Sequence, residues 1–539
     1  MRRHGDRQVY YFLGEEQPVV EPAYLSGGIA PVPSDDKSSL LFGRLFKRND
    51  PKDAAEAELM VQKLIALGCI MSDPPGNVPP DTGDDSGIPS GYTYLGQFIA
   101  HEVTFNNTQD LPLTAQELPV NCRSPQIDLD SLYGVRVGGE RDPRMYEPAD
   151  DAGLKVGASL KVGSTVAVPG ANYSYPNDLF REPRDAAHLG EAIVGDPRND
   201  ENLPLAQTHL ALAHFHNKVV ERLKAQGTPT KNLFEEARKI VVQHFQWIIL
   251  EDYLPRIIDP DVLRCAREHP PYWYEGGTVF MPIEFSAAAF RIGHSMVRGS
   301  YDWNTYHSDQ PYHGGRANLA QLFEFTKFSG DLAGRPGVPS DWVIDWRRFY
   351  DFDHLSGYEA VDAAYRNRAR KIDTQFSLRI QNIQLYPQQK IDVHLRAITI
   401  RNLLRGYSFG LPTGEQVAEA FGVKPLTPEE VRTGLHEQVL ADPMFSERTP
   451  LWYYILKEAE LNGGGKLGPV GSRIIAETFV ALIKESPYSI LREQNWRPEP
   501  EWCQPGGDAP RFEMADLINA AGVVDPIGEH LKKLYPNNP

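Results

Sequence analysis

The chain has 539 residues, 41% hydrophobic and 24% charged, a globular composition long enough to bury one or more substantial cores. A formal net charge of −17 argues against a nucleic-acid or anionic-membrane partner. Cys69, Cys122, Cys265 and Cys503 form no CxxC pair, which excludes a cysteine-built zinc or iron–sulfur site and argues against a disulfide scaffold.

The basic N-terminal stretch, MRRHGDRQVYYFLGEE, has an apolar run of about five residues, too short for the core of a signal peptide. No stretch approaches the roughly 20 apolar residues that span a bilayer. The default expectation is a soluble, cytoplasmic chain, with export by an unconventional route left open. Oligomeric state is not legible.

Residues 1–52 mix Gly, Pro and charge without periodicity and read as an irregular N-terminal extension. DAAEAELMVQKLIALG has apolar residues at helical spacing and predicts a helix stopped by Gly68. Residues 72–90 read as a turn-rich loop, and YTYLGQFIAHEVTF as a helix. Two segments, 135–190 and 299–345, are rich in Gly and Pro and read as surface insertions; within the first, LKVGSTVAV suggests a small hairpin. LAQTHLALAHFHNKVVERLKAQ, NLFEEARKIVVQHFQWIILEDYLPRII, FSAAAFRIGHSMV and QKIDVHLRAITIRNLLRG predict the main later helices. GEQVAEAF and RIIAETFVALIKES are shorter examples, and no internal repeat is present. The fold class is therefore mainly α, one large domain over 53–539 with long loops and little β structure.

Chemistry concentrates at a few positions. Gln97 and His101 in GQFIAHE are four apart and share a helix face, whereas Glu102 points elsewhere. A single helical histidine is more often structural than catalytic. In GDPRNDEN, Arg198 stands in a polar loop just ahead of a helix, with Glu201 three residues on. His294 in AAAFRIGHSMV follows small apolar residues and is expected to be buried with a hydrogen-bond partner, for which Asn402 in TIRNLLRG is a candidate.

Together these segments resemble the animal-type haem peroxidases of the peroxidase–cyclooxygenase superfamily. GQFIAHE is similar to that family's distal-histidine motif, GDPRNDEN to its distal-arginine motif and FRIGHSM to its proximal-histidine motif. RNLLRGYSFGLP resembles the block that supplies an asparagine to the proximal histidine. LEDYLPRIID matches a further landmark, and the order along the chain is the family's order.

The resemblance implies a haem peroxidase catalytic domain over 53–539 that reduces hydrogen peroxide and oxidises small organic donors or halides. It implies haem b with His294 as the iron ligand, donating its other ring nitrogen's proton to the Asn402 carbonyl. His101 becomes the base that turns acid as the O–O bond splits, Arg198 a cation over the pocket and Gln97 a hydrogen-bonding partner for distal water or halide. The oxidised haem would return to rest through a reducing substrate. Arg405 is expected near a haem propionate. Glu201 matches one of two carboxylates that can esterify haem methyls; the other position is Ala100, and Asn202 replaces the methionine that forms a sulfonium link in myeloperoxidase. Fewer links imply a less oxidising haem, suited to bromide, iodide or phenolic donors rather than chloride.

SPQIDLDSLYG resembles the family's calcium loop, with Ser124, the Gln126 backbone carbonyl, Asp128 and Asp130 as oxygen ligands and Glu102 completing the set. Glu102 departs from the usual aspartate, and Tyr407, Ser408 and Phe409 replace the usual charged triplet. A fatty-acid oxygenase of the same superfamily is the nearest rival, but Arg291 stands where cyclooxygenases carry a radical-forming tyrosine. The other rivals are a helical protein that has lost its haem and a non-haem metal enzyme using His209, His214 and His216.

Overall fold

Capping side chains set several helix starts in this chain. Asp53, Asn202 and Thr413 each accept a hydrogen bond from a backbone N–H three residues on, satisfying a donor that the first helical turn leaves open. The helices that organise the fold are α1 (Ala54–Ile70), α2 (Gly91–Val103), α3 (Leu203–Ala225), α4 (Leu233–Trp247), α5 (Pro260–Glu268), α6 (Ile398–Ser408), α7 (Gly414–Ala420), α8 (Leu451–Leu461), α9 (Pro469–Glu485) and α10 (Met514–Ala521). The computed structural model describes residues 42–534 except 73–83, 106–120, 122, 125, 135–140, 150–152, 155, 169–172, 182–189, 270–279, 311–313, 382–396, 435–436, 447 and 504–510.

Extended structure among the described residues is slight: β1 (Phe42–Gly43), β2 (Asp85–Pro89), β3 (Met281–Pro282), β4 (Ser300–Tyr301), β5 (Ala317–Asn318) and β6 (Arg368–Arg370). β1 pairs parallel with β3, β2 antiparallel with β6, and β4 antiparallel with β5. Residues 42–52, read from sequence as part of an irregular extension, are tied to the body through β1 and through Glu284, which accepts from the Leu45 and Phe46 amides. The last part of the expected 72–90 loop is strand β2, while 73–83 lie outside the described residues.

α2 is the central helix. It is buried along almost its whole length, as expected of a helix without a polar stripe. Phe98 meets Phe245 of α4 and His209 of α3 edge to ring, at 5.8 and 6.1 Å between centroids. α3 also packs on α10, and α9 on α5. α4 continues into a π-helical segment, Ile248–Tyr253, and then into Leu254–Ile257. Among the described residues no helix is long and apolar enough to cross a membrane.

Four local expectations change. α1 runs past Gly68 to Ile70; the glycine instead permits contact with α6, where an added Cβ would lie 2.6 Å from Ile400 Cγ1. FSAAAFRIGHSMV is not one helix: it breaks at Ala288 (φ −135°, ψ −74°) between helix Ile283–Ala287 and a 3₁₀ turn, Ala289–His294. Arg291 Nε donates to Ser286 O across that break at 2.9 Å. LKVGSTVAV forms no hairpin of its own, because Leu160, Gly163 and Val166 bridge to Tyr146, Asp178 and Pro339. Segment 299–345 is no surface insertion; Trp303 and Phe328 are fully buried, and the Trp303 indole donates to Trp342 O at 3.0 Å. Aromatic burial there outweighs the Gly and Pro content.

Candidate active site

His101 and His294 reach the middle of the molecule by different routes. α2 carries His101, which is fully buried, and the 3₁₀ turn after Ala288 ends on His294, which is 3% exposed. His294 lines a cleft of about 580 Å³, counting space open to solvent, whereas His101 is not among the residues that line it. Gln97 and Ala100 of α2 line it on one side, Phe290, Arg291 and His294 on another, with Tyr253 from the π segment between. π segments often mark functional places in helices, and this one delivers Tyr253 to the cleft.

Around His101 the bonding is specific. Its Nδ1–H donates to Asn199 Oδ1 at 2.9 Å, and Asn199 Nδ2 donates to His209 Nδ1 at 3.1 Å. The amide is thereby held with its oxygen toward His101, so the lone pair of that ring sits on Nε2. Nε2 is buried and makes no hydrogen bond among the described residues. Burial, reinforced by the Arg198 charge, lowers the His101 pKa to about 3, so the ring is neutral near pH 7.

Arg198 lies beside His101 but not among the residues lining the cleft. Its Nη2 donates to Thr104 O at 2.7 Å and His101 O at 3.2 Å, and its Nε and Nη2 pair with Asp196 at 3.1 and 2.8 Å. Asp196 also pairs with Arg123. Burial alone would raise the Asp196 pKa, but Arg123 and Arg198 outweigh it and hold the carboxyl well below the usual range. The expected cation over the pocket is instead part of a cluster behind the end of α2 in which Arg198 and Arg123 share Asp196 and Arg123 also pairs with Asp130 at 3.6 Å.

Gln97 Nε2 donates to Glu201 Oε2 at 2.8 Å, and Asn202 Nδ2 donates to Gln97 Oε1 at 3.1 Å. Asn202 is also the N-cap of α3, so Gln97, Glu201 and the helix start form one network. On the other side of the cleft, Asn402 Nδ2 lies 2.7 Å from His294 Nδ1 and Asn402 Oδ1 accepts from Arg291 Nη1 at 3.1 Å. The expected pairing of His294 and Asn402 is present with the opposite end of the amide. A guanidinium only donates, so Arg291 claims the oxygen and turns the NH₂ toward His294. Arg405, one turn along α6 from Asn402, rests over the Phe409 ring at 5.8 Å.

The animal haem peroxidase profile matches residues 97–486, which takes in each of these elements. The chain belongs to the animal haem peroxidase family. It is 27% identical to heme peroxidase 2 of Caenorhabditis elegans, covering 72% of this chain and 57% of that protein. It is 29% identical to human thyroid peroxidase over 66% of this chain and 36% of that one. Thus it spans less than two thirds of either relative. The fold resembles that of peroxidase A from Dictyostelium discoideum, with TM-score 0.56, 15% identity and coverage of 93% and 94% of the two chains. It equally resembles the Oryza sativa fatty acid alpha-dioxygenase, with TM-score 0.55, 11% identity and coverage of 93% and 82%.

Membership in a haem peroxidase family implies haem, and the residues present fit it: buried His294 lines a cleft whose wall includes Gln97 and Ala100 of the helix that carries His101, and His101 Nε2 is a buried acceptor without a hydrogen bond among the described residues. Asn199 was not singled out by sequence reasoning, and His209 was named only for the non-haem metal alternative. His209 read as an ordinary helix residue and Asn199 as loop, although an asparagine next to Arg198 was the available signal. The histidine-metal alternative does not assemble, since His209 bonds Asn199, His214 bonds Pro176 O, and His216 bonds Tyr133 and Ala158 O.

The acidic set assembles on a different side of α2. Glu102 is buried and accepts from the backbone amides of Asp128, Asp130 and Ser131 at 3.2, 3.2 and 3.1 Å. Oxygens of Glu102, Asp128 and Asp130 lie within 4.8 Å of one another. Among the described residues Asp128 Oδ1 and Asp130 Oδ1 are buried without a hydrogen bond, the latter 3.6 Å from Arg123 Nη1 in an ion pair. Ser124 is nearby, its amide donating to Asp130 Oδ2 at 3.3 Å, and Gln126 lies in the same loop. Burial and then Asp130 push the Asp128 pKa up to about 7, and Glu102 is raised well above its ordinary value by burial and both aspartates.

Proposed function

We propose that this chain is a peroxidase that reduces hydrogen peroxide and oxidises small phenolic donors, bromide or iodide, with His294 as the ligand to haem iron. The observation that carries this reading is the shared cleft: His294 lines it opposite Gln97 and Ala100, the residues that lead into His101 on α2. Bound haem supplies a redox-active iron at which peroxide is split.

The chain's own residues supply the proton handling. His101 is neutral and fixed with its lone pair on Nε2, so it can take the proton of one peroxide oxygen and return it to the other. Asn199 keeps that tautomer. The Arg198 charge beside His101, with Arg123 shared between Asp196 and Asp130, disfavours a lasting imidazolium and favours return of the proton. Gln97, held by Glu201 and Asn202, presents a fixed amide at the cleft for water or halide. On the ligand side, Nε2 coordination requires a proton on His294 Nδ1, so the Asn402 amide must turn its oxygen to the ring. Arg405 is assigned to a haem propionate, and covalent attachment through Glu201 is available where Ala100 offers none.

We also assign Glu102, Asp128 and Asp130, with Ser124 and the Gln126 carbonyl, to a calcium ion. The buried carboxylate oxygens lacking hydrogen bonds support that assignment, and all-oxygen ligation suits a hard cation.

Absorption spectroscopy of the purified protein, loaded with haem and mixed with one equivalent of hydrogen peroxide, tests the reading. A Soret band that shifts with peroxide and decays with a phenol or iodide is expected, and His294→Ala should bind no haem stably. A wild-type chain with no Soret band after haem addition would overturn it. Oxygenated fatty acid formed without added peroxide would transfer the chain to the oxygenase alternative.

A further inference from the structure

A second cleft, of about 590 Å³, is walled by Leu64 of α1, Leu403 of α6 and Leu451 and Trp452 of α8. It shares no lining residue with the cleft described above. Asn402 lines it as well, so one side chain touches both this cleft and His294. The walls come from separate elements of one chain and are mostly apolar with few polar groups, the usual make-up of a small-molecule pocket rather than a docking face.

Two features of α6 set this cleft apart from a packing gap. Gly406 lines it, and glycine is less favourable than alanine within a helix. Packing does not demand glycine there: an added Cβ would meet nothing closer than Leu411 Cδ1 at 3.4 Å, and the residue is not among the glycines with positive φ. Its effect is to leave the cleft clear. Next to it, the Tyr407 hydroxyl is buried and makes no hydrogen bond among the described residues, a costly arrangement unless something else supplies the partner. Tyr407 is also where the chain departs from the charged triplet of its family.

We propose that this cleft binds a small, neutral aromatic molecule carrying one carbonyl acceptor. Its ring would lie against Leu64, Leu403, Leu451 and Trp452, and its oxygen would accept from Tyr407 Oη. Neutrality follows from the charged neighbours: Arg448, in the wall, pairs with Glu56 at 2.7 Å, and the two cancel. Occupancy would bear on Asn402 and through it on His294; only that consequence rests on the peroxidase reading.

The test is calorimetric titration of 2-acetonaphthone into the full-length, haem-loaded protein and into variants whose thermal melts match wild type. One-to-one binding is expected. Tyr407→Phe should weaken it about fivefold to tenfold, the worth of one neutral hydrogen bond. Gly406→Leu, which places a side chain in the cleft, should abolish binding, whereas Gly406→Ala should largely retain it. The ketone should also shift the Soret band of wild type but not of Gly406→Leu. Absence of binding, or equal affinity in wild type, Tyr407→Phe and Gly406→Leu, would overturn the site. A chain that binds the ketone at Tyr407 yet takes up no haem would uphold this site and defeat the proposed function.

Discussion

His101 donates through Nδ1 to the side-chain oxygen of Asn199 at 2.9 Å, and that one bond decides which nitrogen of the ring can act as a base. Asn199 cannot rotate freely, because its nitrogen donates to His209. Replacing Asn199 with Leu removes the acceptor and leaves Nδ1–H buried without a partner, so nothing any longer disfavours the tautomer with the proton on Nε2. In that tautomer Nε2 has no lone pair for peroxide. The expected outcome is peroxide cleavage slowed by roughly 10- to 100-fold with haem content unchanged. His101→Ala should slow it further, by about 10² to 10⁴. Stopped-flow absorbance of the Soret band measures both, and a wild-type rate in Asn199→Leu would remove Asn199 from the mechanism.

The Asn402 amide is contested, with Arg291 on its oxygen and His294 on its nitrogen. A leucine at 402 removes the Asn402 bond to His294 Nδ1, and haem affinity should drop about 10- to 100-fold, the usual effect of losing the hydrogen bond behind a metal ligand. An aspartate at 402 offers an anionic acceptor to Nδ1–H, enriches the imidazole and should lower the Fe(III)/Fe(II) potential. Haem titration and spectroelectrochemistry read these two outcomes. A potential in Asn402→Asp equal to or above wild type would contradict the pairing.

Much of this site was legible before any coordinates, because Gln97 and His101 sit on one helix face and Glu102 on another whatever the tertiary fold. The long helices were legible for the same reason, periodicity being local. What was not legible depended on distant partners. Asn199 matters only because α2 and α3 bring His101 and His209 to its two ends. Arg198 pairs with Asp196, two residues away, yet its displacement from the cleft also needs Thr104 O and the second cation, Arg123. The break at Ala288 runs against a stretch of three alanines that favours helix, so tertiary contacts override propensity there.

Gly68 illustrates the same limit and yields a stability test. A glycine near a helix end reads as a stop, but α1 continues, and Thr399 Oγ1 donates to Gly68 O at 2.7 Å where α6 crosses it. Alanine has the better helix propensity by about 1 kcal/mol. Here its methyl group would press 2.6 Å from Ile400 Cγ1 and 2.9 Å from the Ile400 backbone, which cannot swing aside as a flexible side chain would. Overpacking of this kind costs about 1–3 kcal/mol. Gly68→Ala should therefore be net destabilised in urea unfolding, by up to about 2 kcal/mol once the propensity gain is subtracted. A stabilised variant would show that the two helices separate easily.

The acidic set beside His101 predicts a pH dependence with a definite sign. Asp128 rises to about 7 through burial and then the neighbouring Asp130, while in the unfolded chain it titrates near 4. Between those values the folded state holds more protons than the unfolded one, so without a cation stability should fall as pH rises from about 4 to 7. The slope is about 1.4 kcal/mol per pH unit for each extra proton held. A bound calcium ion displaces those protons, so its affinity should climb with pH up to about 7 and then level off, by up to about tenfold per unit per proton released. Saturating calcium should accordingly reduce the fall in thermal midpoint between pH 5 and 7 that appears in chelator by the share of this acidic set, while Asp373, Glu458 and Asp525, also raised to about 7 by burial, keep theirs. Glu102→Gln should weaken the calcium effect by removing one of three charges, while its amide oxygen can still accept from the Asp128 and Asp130 amides and only the Ser131 amide loses its acceptor. Melting curves at several pH values with calcium or chelator decide the matter, and a midpoint that responds equally to calcium in wild type and Glu102→Gln would place the ion elsewhere.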